Sequence, residues 1–278
     1  MMRPWILIGL GAFGAFFVFG VLITALPSRR AAAEQEACKH NLKDLAFFAT
    51  VHAHPDAAPG VAVRHEIPAG TISRPGLAPD ERLSWVVDAL PSLDQRRQKA
   101  SDILELLDAT QPWAFPKNQE GSKQRLPGLL CPGRPPELAA DRPAPTQYVG
   151  IAGLGTDAAT LNFAPPAAAP PRAGCFRYDA PTPFNSVTDG LSQSLLFGEH
   201  WEDLGPWLRG GPSTLRGLDD SLSAPPLIGS QFGGNHPNSS NWAMADGSIR
   251  VFTPRVDPRV LFSLATIAGK EQEALPGE

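Results

Sequence analysis

An uncharged run of 22 residues, Trp5 to Leu26 (WILIGLGAFGAFFVFGVLITAL), constrains this chain more than any other feature. As a helix it rises about 33 Å, enough to cross a hydrocarbon core of about 30 Å. Arg3 precedes it, and Pro27, Ser28, Arg29 and Arg30 follow. A cleaved secretory leader has an apolar core of roughly 7–15 residues. Here the run is longer, and two arginines separate it from the small-residue site Ala31-Ala32-Ala33. The expectation is a retained single-pass anchor over residues 1–27, touching the bilayer through residues 5–26.

Gly9, Gly11 and Gly14 within this run match the spacing of a dinucleotide fingerprint. That motif works only between a strand and a helix of a βαβ unit. In an apolar span the glycines read as ordinary enrichment, with Gly11 and Ala15 offering a small-residue contact for another helix. No cofactor is expected. Arg29, Arg30, Lys39 and Lys43 after the run outnumber Arg3 before it. Taken alone, that bias leaves the large domain in the cytoplasm, although the rule weakens for long translocated domains.

Proline (30) and glycine (26) make about 20% of the 278 residues, below the roughly 25–30% of a low-complexity chain. The composition implies a folded, loop-rich protein and argues against a helical bundle, since proline breaks helix interiors. A net charge of -4 without basic blocks argues against nucleic acid as the main partner. Three cysteines are too few, and odd in number, for a disulfide scaffold.

Residues 28–56 read as an amphipathic stalk helix, with Cys38, Leu42, Leu45 and Ala49 on one stripe. Leu83 to Leu90 reads as a strand closed by Pro91, and Gln95 to Ala109 as a helix. Pro-rich loops are expected at Arg134–Pro145 and Ala164–Arg172, with short strands near Gln147–Ala152, Gly174–Tyr178 and Ser194–Glu199. Asp246-Gly247 between Asn241–Ala245 and Ser248–Phe252 predicts a hairpin with a type I′ turn. Asp257-Pro258 predicts a helix start, with Leu261, Leu264 and Ile267 on one face and Gly269 as its stop.

These motifs, in this order, resemble the domain of unknown function 1559 family, which is similar to pseudopilins and type IV pilins in its N-terminal helix. The resemblance rests on Cys38–Lys43, Ser84-Trp85, Leu90–Gln95, Gln111–Trp113, Leu130–Gly133 and Tyr148–Gly150. It continues through Thr188–Ser192, Glu199, Gly205–Trp207 and Ala265–Gly269. It includes a C-terminal signature in which His236 is followed by nine residues and then Asp246-Gly247. Together these stretches run from about residue 31 to 271. The resemblance implies an α+β, pilin-like fold. A long N-terminal membrane and stalk helix packs on a mainly antiparallel sheet head over 57–271, and a tail covers 272–278. It implies a head outside the cytoplasmic membrane, no enzymatic activity, and other pilin-like subunits or envelope proteins as partners. One departure stands out. The apolar run holds no Glu, so no prepilin peptidase site is recognisable, which fits a permanently anchored relative rather than a pilus subunit.

The remaining candidates are weighed from their residues. In an exported head, Cys38 on the stalk and Cys131 in a Pro-flanked turn can form a disulfide; in a reducing compartment they stay two buried thiols. Cys175 is left over. No CxxC occurs, and His52 and His54 do not share a helical face, so no metal is expected. His236 reads first as a loop histidine bonded near the hairpin. Two alternatives to a structural protein remain: a glycan or cell-wall polymer binding module using Trp201, Trp207 and Trp242, and a hydrolase using His236 and Asp246.

Overall fold

A computed structural model describes residues 29–50, 66–93, 100–137, 139–164, 168–221, 231–233, 236 and 238–269. The expected membrane run at 5–26, the end of the stalk with His52 and His54, and the tail at 272–278 lie outside the described residues. Among the described residues no helix is long and apolar enough to cross a membrane.

Helix α1 occupies 29–50. The stripe read from its spacing is its buried face: Cys38, Leu42, Leu45 and Ala49 are inaccessible to solvent. Lys43 and Phe47 point the other way. Among the described residues the other α-helices are short: α2 (Val86–Leu93), α3 (Ala100–Glu105), α4 (Pro116–Ser122) and α5 (Pro258–Ala265). Two minimal strands, β1 (Glu66–Ile67) and β3 (Thr182–Pro183), pair with each other. The main sheet has five strands in the order β5 (Leu215–Leu218), β2 (Tyr148–Leu154), β4 (Leu195–Glu199), β6 (Ser240–Met244) and β7 (Ile249–Phe252). Among the described residues only the β2–β5 pair of this sheet is parallel. The protein is α+β, with a mixed, mainly antiparallel sheet.

Side-chain alternation sends the sheet residues into two cores. Tyr148, Ala152, Phe197 and Ala243 join α1 and Trp85 in one. Val149, Ile151, Trp242 and Met244 join Leu261 and Leu264 of α5 in the other. Strands buried on both faces read as near-continuous apolar runs, and β2 and β4 do so. Trp85 is the hub of the first core. Its ring lies 6.1 Å from Phe48 of α1, 6.0 Å from Phe176 and 5.0 Å from Phe197, and its Nε1 donates to the Thr214 carbonyl.

Several local expectations need correction. Leu83–Leu90 is not a strand. Leu83 and Ser84 make isolated bridges, and the run then turns into α2. Short apolar runs do not separate buried strand from buried helix by periodicity. Here Ser84 Oγ accepts from Val86 N and so provides a helix start. Gly174–Tyr178 forms no strand. Gly174 N and Phe176 N bond to the Ala152 and Ile151 carbonyls, beyond Gly150, where β4 pairing stops. A Cβ on Gly174 would lie 2.3 Å from Gly153 N, so only glycine permits that approach. The β6–β7 hairpin forms, but its turn differs from the expected type. Gly247 N donates to the Met244 carbonyl, Met244 N donates to the Ser248 carbonyl, and Gly247 has φ 85° while Asp246 stays at negative φ. That is a three-residue loop closed by a glycine bulge. Asp257 caps α5 through Arg259 N, yet the helix ends at Ala265, and Gly269 instead donates its N–H to Asp189 Oδ2. Ile267 is buried beyond the helix end.

Phe48→Ala removes the ring that joins α1 to Trp85 and should cost about 3–5 kcal/mol. Phe47→Ala, at a side chain 56% exposed, should stay within about 0.5 kcal/mol. Denaturant unfolding of the full chain in detergent measures both, and equal effects would contradict the packing of α1.

Candidate functional site

Four segments distant in sequence meet at one end of the sheet. Helix α1 brings Cys38, the turn after Leu130 brings Cys131, the end of β4 brings Glu199, and the approach to β6 brings His236. All four are buried, and one ligand-type atom from each lies within 4.8 Å of the others. Cys38 and Cys131 are joined in a disulfide across 93 residues, with Cα atoms 5.3 Å apart. His236 Nε2 lies 3.5 Å from Cys131 Sγ and 3.7 Å from Glu199 Oε1.

Each contributor is held from behind. Gln35, Cys38 and Asn41 recur every third residue on one side of α1. Gln35 Nε2 donates to Ser239 Oγ at 3.1 Å, and Asn41 Nδ2 donates to the Leu130 carbonyl at 3.1 Å and to Tyr148 Oη at 3.4 Å. The Cys131 turn is pinned to the start of β2: Cys131 N donates to Gln147 Oε1, and Gln147 Nε2 donates to the Arg134 carbonyl. Glu199 accepts from Asn241 twice at 2.8 Å, from the backbone N–H on Oε2 and from Nδ2 on Oε1. Gly133 lies next to the imidazole, where an added Cβ would come 3.3 Å from His236 Cε1.

The electrostatics follow from burial. Glu199 is fully buried, and among the described residues the one basic group within ion-pair distance is His236. A buried carboxylate needs a cationic or hydrogen-bonding partner. Asn241 supplies two hydrogen bonds to Glu199, and the His236 ring lies 3.7 Å away. Burial, reinforced by the Glu199 carboxylate, raises the Tyr148 phenol well above its usual range. Next along the chain, burial and then the Arg216 charge push His200 down to about 3, so it stays a neutral ring. Its Nδ1 lies 3.2 Å from the Glu202 carbonyl, which accepts from it. Burial likewise raises the unpaired Cys175 thiol.

The other sequence-derived sites fare differently. His236 and Asp246 sit at opposite ends of β6, about 16 Å of strand apart. Asp246 is exposed at the hairpin tip, accepting from Ser248 N. The two cannot act as a pair, and the carboxylate beside His236 is Glu199. Nor do Trp201, Trp207 and Trp242 form a binding platform. Trp207 and Trp242 are fully buried. Trp207 Nε1 donates to the Gln124 carbonyl, while Trp242 covers Gly198 on the neighbouring strand and packs on Phe232. Trp201 is half-buried beneath the Arg134 guanidinium, 3.7 Å from its ring centre. Glu199 was visible in the sequence only as one matching residue. Gln35, Gln147 and Asn241 were not singled out, although the three-residue spacing of Gln35, Cys38 and Asn41 marks a polar seam beside the apolar stripe.

A disulfide closing 93 residues contributes about 4.7 kcal/mol of chain entropy. Reduction or Cys131→Ser should therefore lower unfolding free energy by about 2–5 kcal/mol, measured by denaturant titration with and without reductant. His200 gives a pH signature. Its folded-state value lies below the unfolded one, so its stabilising contribution is present above about 6.5 and is lost as pH falls toward about 3. His200→Asn, which keeps the bond to Glu202, should flatten the decline of stability between about pH 6.5 and 4; an unchanged pH profile would contradict the assignment.

The family model described as Protein of unknown function (DUF1559) matches residues 27–216. The match takes in Cys38, Cys131 and Glu199 and stops before His236 and the Asp246-Gly247 turn. No curated protein and no solved structure matches the chain. With more than half its length matched and its cysteines and Glu199 inside that stretch, the chain belongs to the DUF1559 family.

Proposed function

We propose that this is a non-enzymatic, membrane-anchored, pilin-like protein that holds an interaction head outside the cytoplasmic membrane. The observation that carries the reading is the Cys38–Cys131 disulfide. Disulfides form and persist in oxidising compartments, and this one ties the helix following the apolar run to the sheet. Residues 5–26 supply an apolar length sufficient for a span. Helix α1 follows directly and buries one face on the sheet. A long helix with its lower part in lipid and its upper part packed on a mainly antiparallel sheet is a pilin-like plan. The run lacks a carboxylate, which suits a fixed anchor better than a polymerising subunit. The partners would be other envelope proteins or pilin-like chains.

The reading competes with the basic residues Arg29, Arg30, Lys39 and Lys43, which follow the run. Paired reporter fusions after Glu278 decide between the orientations. A phosphatase that folds only outside the membrane should be active, and a fluorescent protein that folds only inside should be dark, both in the membrane fraction. The reverse pattern would overturn export, and recovery of the chain from the soluble fraction would overturn anchoring.

A further inference from the structure

We propose that the reduced form of this protein binds a divalent transition metal of the zinc class through Cys38, Cys131, Glu199 and His236, and that the disulfide and the metal are alternative occupants of one site. The inference does not depend on the orientation of the chain in the membrane.

Three observations support it. The first is the donor set. Two sulfurs, one imidazole nitrogen and one carboxylate oxygen are ligand types that zinc takes in tetrahedral sites. They come from four separate segments, so no local spacing motif betrays them, and all four are buried together. The second is geometry. With bonds of about 2.0–2.3 Å to nitrogen, oxygen and sulfur, the edges of a zinc tetrahedron measure roughly 3.3–3.8 Å. His236 Nε2 already stands 3.5 Å from Cys131 Sγ and 3.7 Å from Glu199 Oε1. Once the bond between the sulfurs is broken, their separation to about 3.8 Å completes the figure. The third is the support behind the ligands. Asn241 orients the Glu199 carboxylate with two bonds at 2.8 Å, and Gln147 fixes the backbone at Cys131. Metal ligands are characteristically braced in this way by outer partners. A cation would also answer the need of the fully buried Glu199 for a positive partner.

A dithiol donor passes two electrons and two protons to the Cys38–Cys131 bond, leaving two thiols here and a disulfide on the donor. The cation then displaces both thiol protons to solvent and is held by two thiolates, the neutral His236 ring and the Glu199 carboxylate. In the return step a disulfide on a partner accepts the two electrons by exchange with the Cys38 and Cys131 thiolates and takes up two protons from solvent as it becomes a dithiol. The re-formed Cys38–Cys131 bond releases the cation, because a disulfide sulfur is not a thiolate ligand.

The test uses the full chain in detergent, reduced anaerobically with a phosphine and titrated with cobalt(II) as spectroscopic probe. The expected result is one cobalt per chain, with thiolate-to-metal charge-transfer bands and the intense visible bands of a tetrahedral site, displaced by zinc. The oxidised chain should show neither. His236→Ala and Glu199→Gln, checked for native circular dichroism, should weaken binding by at least about tenfold, and Asn241→Ala by about 10–100-fold. Cys175→Ser should leave the spectrum unchanged. Absence of stoichiometric binding by the reduced chain would overturn the proposal. So would binding indifferent to His236 and Glu199, or signal that disappears with Cys175.

Discussion

The architecture depends on the covalent tie between an amphipathic helix and the sheet it covers. Helix α1 offers one apolar face, and the ring of Phe48 stacked on Trp85 seats it on the first core. Packing of that kind is spread out and has no unique register along the helix axis. The Cys38–Cys131 bond adds a single fixed point. Asn41 and Gln35, three residues to either side of Cys38, reach the Leu130 turn and the start of β6. The helix is thereby held in azimuth and in height, and β2, β4 and β6 receive it at the same place.

The site and the fold are consequently hard to separate. Glu199 ends the central strand β4, and its carboxylate is placed by β6 through Asn241. His236 closes over it, against Gly133 of the turn that carries Cys131. The pair Gly133 and His236, drawn from two stretches of the family resemblance, is a contact between a ring and a residue without a side chain. The junction thus includes a histidine that stands ten residues ahead of Asp246. The histidine belongs to the helix–sheet junction, and Asp246-Gly247 belongs to the hairpin that positions the strand between them.

Much of this was legible in the sequence. The stripe Cys38, Leu42, Leu45 and Ala49 was readable because helical periodicity maps directly onto burial. The β6–β7 hairpin was readable because Asp-Gly between two strand-like runs has few other uses. Its loop length was not, since one glycine at positive φ serves both a two-residue turn and a bulged three-residue loop. Leu83–Leu90 misled because a short apolar run buried everywhere but at Asp88 carries no clear period, and the deciding contact is a cap from Ser84. Trp207 and Trp242 misled because residue type alone does not separate an exposed aromatic from a buried one; Trp242 fills the space left by Gly198 on the next strand, a partner that no local pattern reveals. The four-residue cluster was out of reach because each member comes from a different segment. Only the sheet order β2-β4-β6 brings three of them beside α1.

The central claim is that Cys38 and Cys131 bind helix to sheet at a junction shared with His236 and Glu199. It is tested most directly by differential alkylation and peptide mapping of the chain extracted from its own membranes. The account predicts one linked peptide pair containing Cys38 and Cys131, with Cys175 alkylated only after denaturation. Free, alkylated Cys38 and Cys131 in that material, or a bond from either to Cys175, would contradict it.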